Sequence, residues 1–275
     1  MLKKKPQIFT TMLVGAKGSG KTSFINSLFD QQLVKISGED NEEAFNVYVS
    51  DVDMEGIRRK ISIVDTPGFG STTNDSFIHD SIVVFLRKQF CKYLTEETKI
   101  NRNPNAEDSR VHAMVYFIPS RCGGLRLSDI TFLKKVDHLV NVILVISKAD
   151  ALTITELKAF KAKVQQQIEE NQIRVFSFQR EGLHDADVGL ELQKKQPFTV
   201  ISFDSLKNDV NNRVYPWGTP GTMNVDHCDF KILREILLSS YTDIFIDETN
   251  ESLYETYRAE VLSSLLPNES IEEKF

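Results

Sequence analysis

Apolar positions fall into two patterns along the chain: short unbroken runs, and longer stretches in which they recur every three or four residues. The runs Ile8–Val14, Val111–Ile118, Val140–Ile146 and Phe198–Phe203 are rich in β-branched and aromatic residues and predict buried strands. Phe45–Val52 and Ile57–Val64 predict two more, joined by a hairpin turn at Asp53–Gly56. Helical spacing appears in Phe24, Ile25, Leu28 and Phe29, and along Ser76–Leu94, Ser128–Val136 and Thr153–Asn171. A short strand, Ile173–Phe178, is expected before a variable segment, Gln179–Gln196. Near the end, Asp229 is placed to cap a helix whose stripe is Phe230, Leu233, Leu237, Tyr241 and Ile244, and a second helix is expected from about Thr249 to Leu266. Polar loops are expected at Gln31–Glu43, Thr95–Ser109 and Arg121–Gly124. Strands alternating with helices predict one three-layer α/β/α domain with a mostly parallel sheet.

Composition narrows the function classes. A net charge of −6 argues against a general nucleic-acid coat, so no nucleic-acid partner is expected. Cys91, Cys122 and Cys228 are far apart and in no metal spacing, and the histidines form no ligand pair, so reduced thiols and no metal ligated by cysteine or histidine are expected. The longest apolar run, near Leu139–Ile146, falls well short of the ~20 residues a bilayer span needs, and no signal peptide is visible; a cytoplasmic location is expected. Lys3-Lys4-Lys5 is the one dense basic cluster. At ~1 kcal/mol per basic residue it could add weak contact with an anionic membrane when many copies are arrayed. For a single copy, a solvated terminus is the stronger reading.

The candidate chemistry sits at strand ends. Gly15-Ala16-Lys17-Gly18-Ser19-Gly20-Lys21-Thr22 matches the phosphate-binding pattern G-x-x-x-x-G-K-[ST] between a predicted strand and a predicted helix. Successive backbone N–H groups there would face one concavity at the positive end of a helix dipole. Lys21 would neutralise β- and γ-phosphates, the Thr22 hydroxyl would hold Mg²⁺, and Ser23 would add a contact nearer the α-phosphate. Asp65-Thr66-Pro67-Gly68, 44 residues after Lys21, ends the second hairpin strand as a D-x-x-G. Its Asp would reach Mg²⁺ through water and its Gly N–H would meet the γ-phosphate. Ser147-Lys148-Ala149-Asp150 ends the most apolar strand and resembles the guanine-reading motif of GTPases. Asp150 would accept the N1–H and 2-amino protons of guanine, and the Lys148 stem would lie along the base. A strand-to-helix turn with a capping Asp is the plainer reading of those four residues, but all three motifs come in order at the carboxyl ends of strands, where ligands bind in such sheets. GTP or GDP is therefore preferred over ATP.

Three further blocks make the chain resemble a septin: Ser109-Arg110-Val111-His112, Arg213-Val214-Tyr215-Pro216-Trp217-Gly218, and the segment His227–Val261 with Tyr254-Glu255-Thr256-Tyr257-Arg258. The resemblance runs from about Ile8 to Val261. It implies a P-loop GTPase fold with a septin-type C-terminal extension: a basic segment 1–7, a G domain 8–266 divided into a nucleotide-binding core 8–203 and an extension 204–266, and a tail 267–275. It further implies a cytoskeletal subunit that polymerises with itself or other septins, in cell division or at the cell cortex. Contacts would run across the nucleotide pockets and through the terminal helices, and two alternating contacts build an open chain. Carried over by position, Gly15, Lys17, Gly18, Ser19, Gly20, Lys21, Thr22, Ser23, Asp65, Gly68, Lys148, Asp150 and Ser202 line the nucleotide, with Arg213 against the base. Thr22 and Asp65 serve Mg²⁺, Glu156 reaches the neighbour's pocket, and Trp217 anchors the nucleotide-side interface or, alternatively, is a core aromatic.

Departures from the family pattern bear on chemistry. No threonine occurs between Thr22 and Thr66, so the switch threonine of hydrolysing septins has no counterpart, and Phe69 stands where a small GTPase carries its water-orienting Gln. Losing such positioned assistance costs ~10²–10⁴ in rate, so hydrolysis is expected to be very slow or absent. Gly123 replaces an interface histidine, Ser202 replaces a glycine at the base, the basic N-terminal stretch is short, and no coiled-coil heptads follow the last helix. The competing reading is a regulatory GTPase that hydrolyses GTP and recruits effectors. A P-loop kinase is a weaker third, disfavoured by Lys148 and Asp150.

Overall fold

In the computed structural model, residues 8–29, 45–54, 57–70, 76–101, 107–179, 186–201 and 228–264 are described. Among the described residues, six strands form one sheet in the order β2-β3-β1-β4-β5-β6. They are β1 (Ile8–Gly15), β2 (Asn46–Met54), β3 (Ile57–Asp65), β4 (Ala113–Pro119), β5 (Asn141–Ser147) and β6 (Phe198–Val200). All neighbours run parallel except the β2–β3 hairpin. Alternation along β1 sends Met12 and Val14 to one face and Phe9 and Leu13 to the other, and each face seeds its own apolar cluster. On the first face lie α2 (Ser76–Thr98), α3 (Leu127–Val136) and α4 (Ile154–Glu170). On the second lie α1 (Lys21–Leu28) and α5 (Ala186–Lys195), together with α6 (Phe230–Glu235) and α7 (Thr242–Glu248). The expected three-layer architecture is therefore the observed one.

The terminal helices tie the two faces together. Phe245 belongs to the second cluster, whereas Leu253, Tyr254, Tyr257 and Val261, leading into and along α8 (Glu255–Ser264), belong to the first. The chain crosses the amino edge of the sheet between them, and buried polar groups hold the crossing. Asn141 Nδ2 donates to the carbonyls of His112 (2.8 Å) and Phe245 (3.3 Å) and to Thr249 Oγ1 (3.2 Å). Arg110 is buried, with its guanidinium 3.5 Å from the Tyr93 ring centroid. It donates from Nε and Nη2 to Asp108 (3.0 and 2.7 Å) and from Nη2 to Asn250 (2.6 Å).

Several local expectations are corrected. Ile173–Phe178 is not a regular strand; it touches the sheet through the Phe176 N–H, which donates to Val142 O at 2.9 Å. The segment read as variable contains α5, and α2 runs four residues past Leu94. Asp229 occupies the N-cap of α6, but its side chain caps nothing: the carboxylate instead accepts the Thr199 N–H (2.8 Å) and hydroxyl (2.7 Å), closing the outer edge of β6. The terminal helices contain π-helical turns at Ile236–Ser240 and Thr249–Tyr254. A π turn carries an extra residue, so the apolar stripe slips by one and Phe245, not Ile244, is the fully buried position.

Burial alone would raise the Asp108 pKa, but hydrogen bonds from His112 and Arg110 and the Arg110 charge override it and hold the carboxyl well below its usual range. A folded pKa below the unfolded value of about 4 means that the unfolded chain binds the extra proton, so this stabilisation is complete above about pH 4 and is lost as pH falls toward the folded value. Asp108→Asn is expected to lower stability by about 3 kcal/mol at pH 7, because Arg110 is left buried without its counter-charge. In urea titrations the gap from wild type should hold down to about pH 4 and narrow steadily below it; a gap independent of pH would refute the assignment.

Candidate functional site

Between β1 and α1 the glycine loop turns through two left-handed residues, Gly18 (φ 72°) and Gly20 (φ 94°), a conformation that costs glycine nothing. Lys21, at the first turn of α1, is buried and donates from Nζ to the carbonyls of Gly15 (3.0 Å) and Ala16 (3.3 Å). Ser19 is buried with no hydrogen-bond partner for its hydroxyl among the described residues, whereas Lys17 and Gly18 face solvent. Thr22 and Ser23 are half-buried on α1 beside them. Loop backbone, lysine and unsatisfied hydroxyl thus converge on one spot, which suits a polyphosphate.

The D-x-x-G segment is laid directly on this loop. Asp65 closes β3 opposite Leu13 of β1. Thr66 then donates from N (3.3 Å) and Oγ1 (2.8 Å) to Leu13 O. Ala16 and Phe69 form a parallel bridge, and the Lys17 N–H donates to Phe69 O at 2.8 Å. A methyl group on Gly68 would lie 2.6 Å from Lys17 Cα, so only glycine permits the approach. The Phe69 side chain turns inward, 1% exposed, against His79 and Tyr116.

Two strands from β1, β5 runs into Lys148, whose φ of 54° turns the chain into a single 3-10 turn containing Asp150. Both side chains are half-buried at the same carboxyl edge. Cys228, which the sequence reading did not assign, packs here: its sulfur accepts the Ile201 N–H (3.4 Å) and feels the Asp150 charge. Burial pushes its thiol up to about 11. Glu156 lies exposed in the first turn of α4, where its carboxylate accepts the N–H and hydroxyl of Thr153, both at 2.8 Å. Those bonds hold its pKa below the ordinary carboxylate value. Ser202, Arg213 and Trp217 lie outside the described residues, as do Lys3–Lys5.

A parallel sheet with a glycine loop after its central strand and two further motifs at the same edge defines a phosphate-binding-loop α/β domain. The chain belongs to the septin family, whose family model ("Septin") matches residues 5–270. It is 41% identical over 263 residues to "Cell division control protein 11" of Encephalitozoon cuniculi (strain GB-M1), covering 95% of this chain and 97% of that one. Identity to Septin-1 of Bos taurus is 37% over 279 residues, 95% of this chain and 76% of the relative. Among solved structures, Cdc11 from Saccharomyces cerevisiae superposes with a TM-score of 0.64 at 28% identity, over 92% of this chain and 99% of that one. The septin GTPase domain from Chlamydomonas reinhardtii reaches 0.71 over 93% and 99%; its 23% identity speaks to the fold alone.

Gly68→Ala places a methyl against backbone that cannot swing aside. It is expected to part loop and turn, lowering stability by about 1–3 kcal/mol and reducing co-purified nucleotide. Urea unfolding and nucleotide content after denaturation check both, and wild-type values in each would rule out the close apposition.

Proposed function

We propose that this chain is a septin subunit that holds GTP or GDP with Mg²⁺ at the carboxyl edge of its sheet as part of an assembly surface, and that it acts in cell division or cortical organisation. The observation that carries the structural role of the nucleotide is the packing of Phe69. The position after Gly68 points into the core and offers no group to orient an attacking water, and the sequence provides no switch threonine. Slow or absent hydrolysis follows. Relatives named for cell division support the process.

The residues present suit the nucleotide. The buried Ser19 hydroxyl and the loop N–H groups would take phosphate oxygens, and Lys21 would neutralise the outer phosphates. The Thr22 hydroxyl, and Asp65 through water, would hold Mg²⁺, which supplies charge neutralisation when bound. Lys148, Asp150 and Ser202 would take the guanine, with Arg213 against it.

Assembly through this edge is supported by three large apolar side chains, Phe77, Leu127 and Ile154, each 75% exposed or more. All three stand in the first turn of helices that follow a strand's carboxyl end, on the side of the sheet where the site lies, and exposed large apolar side chains there suit a contact surface. Glu156 and Trp217 are proposed to join the same contact, with a second copy or another septin as partner. The subunit is expected in the cytoplasm, on the cytoskeleton and at the cortex or division site, with Lys3–Lys5 adding weak membrane contact once copies are arrayed.

Chromatography of the nucleotide released from denatured protein, with native sizing in low and high salt, tests the reading. Guanine nucleotide and salt-dependent oligomers are expected; adenine nucleotide, or a monomer in every condition, would overturn it. Lys21→Ala removes charge-assisted bonds worth about 3 kcal/mol and should cost roughly 100-fold in GTP affinity. Loss of oligomers should accompany that loss, and fast phosphate release by the wild type would contradict the structural role.

A further inference from the structure

The turn after Asp65 has a second support that belongs to none of the three motifs. Arg126, immediately before α3, carries its guanidinium carbon 5.8 Å from the centroid of the Phe69 ring. A methyl built on Gly70 would lie 3.6 Å from Arg126 Nη1 and 3.8 Å from the Ala16 side chain, so the guanidinium stands just behind the point where turn and glycine loop meet. It is firmly fixed there. Asp129, 0% exposed, accepts the Arg126 backbone N–H (3.0 Å), Nε (3.2 Å) and Nη2 (2.9 Å). Such a forked pair sets the plane of the guanidinium as well as its position.

From this geometry we infer that Arg126 is a positioning residue for the terminal phosphate of a bound triphosphate. Anchored on Asp129, it backs the Gly68-Phe69-Gly70 turn and keeps the Gly68 N–H facing the glycine loop. It acts through Phe69 and Gly70 and does not itself touch the nucleotide. The inference rests on the nucleotide reading of the site given above. It separates the two nucleotides: a diphosphate lacks the group that the Gly68 N–H would meet, so its binding is indifferent to how the turn is held. A planar fork, rather than a positive charge alone, is what the arrangement uses, so lysine cannot replace it.

The test measures dissociation constants of fluorescent GDP and of a non-hydrolysable fluorescent GTP analogue for wild type, Arg126→Ala and Arg126→Lys, with melting temperatures alongside. For both variants triphosphate affinity should fall about tenfold while diphosphate affinity stays within about twofold, the loss expected for one misplaced hydrogen bond. Hydrogen exchange at residues 68–70 should be slowed by the triphosphate analogue in wild type and not in the variants. Equal loss for both nucleotides would make Arg126 merely structural, and no loss would make it irrelevant; full recovery in Arg126→Lys would leave charge alone as the cause. Each of these overturns the inference. Should Arg126→Ala fail to fold, Arg126→Lys, which keeps the stem and charge, reads the same ratio. A wild type that binds neither nucleotide defeats the underlying reading of the site, and that is seen before any variant is made.

Discussion

The carboxyl end of β1 is approached by β4 on one side and by the turn after β3 on the other, in each case more closely than any side chain allows. At Gly15 a methyl would lie 2.7 Å from Phe117 Cβ, and at Gly68 one would lie 2.6 Å from Lys17 Cα. Glycine at both places lets the backbones meet, and the Lys17–Phe69 hydrogen bond and the Ala16–Phe69 bridge then fix the glycine loop against the turn. The parallel register of β1 and β3, which sets Leu13 opposite Asp65, delivers both chains to that meeting point. The apolar alternation that fills two clusters from one strand is thus also what aligns the glycine loop with the turn after Asp65. A slip of one residue would turn Met12 and Leu13 to the wrong faces and separate the loop from the turn.

The opposite edge of the sheet is organised by different means. There the terminal helices pass from one face to the other over Asn141, Arg110 and Asp108, held by buried, directional polar bonds. Breaking one member of such a set leaves its partners buried and unsatisfied, so the crossing is specified as a unit. On the β3 side, Arg59 adds a forked pair with Asp243 of α7 at 2.6 and 2.8 Å. The domain therefore presents two differently built surfaces at opposite ends of its strands. Unlike surfaces facing opposite ways favour open chains over closed rings when both are used for contact.

What could be read from the sequence follows from how local each cause is. The strands and the three motif positions are legible because apolar runs and glycine spacing are properties of short segments. Helix α5 is not, since Ala186–Lys195 is short, half polar and carries Gly189, a poor helix former. The structure supplies the reason for that glycine: a methyl there would lie 2.5 Å from Phe178 O, so a long-range contact dictates the residue and conceals the helix. Asp229 misleads in the same way. It has the identity and position of a cap, yet the edge of β6 takes its carboxylate. Arg126 and Cys228 carry no motif and become visible only when Phe69 and Asp150 are brought beside them.

Phe69 shows how packing and chemistry compete for one position. Its ring meets His79 edge-on at 4.9 Å and lies 6.1 Å from Tyr116; Phe132 stacks on both of those rings, at 4.6 and 5.8 Å. These contacts bind the turn after Asp65 to the α2–α3 layer. A glutamine able to reach a water would have to leave that pocket, emptying it, or stay and bury an amide among aromatic rings at a cost of about 1–3 kcal/mol. The fold thus resolves the competition in favour of packing: the position after Gly68 carries a side chain that anchors the turn to the core. Under the function proposed above, a nucleotide held against this turn would serve as a fixed part of the surface around it, as a lasting contact between subunits needs.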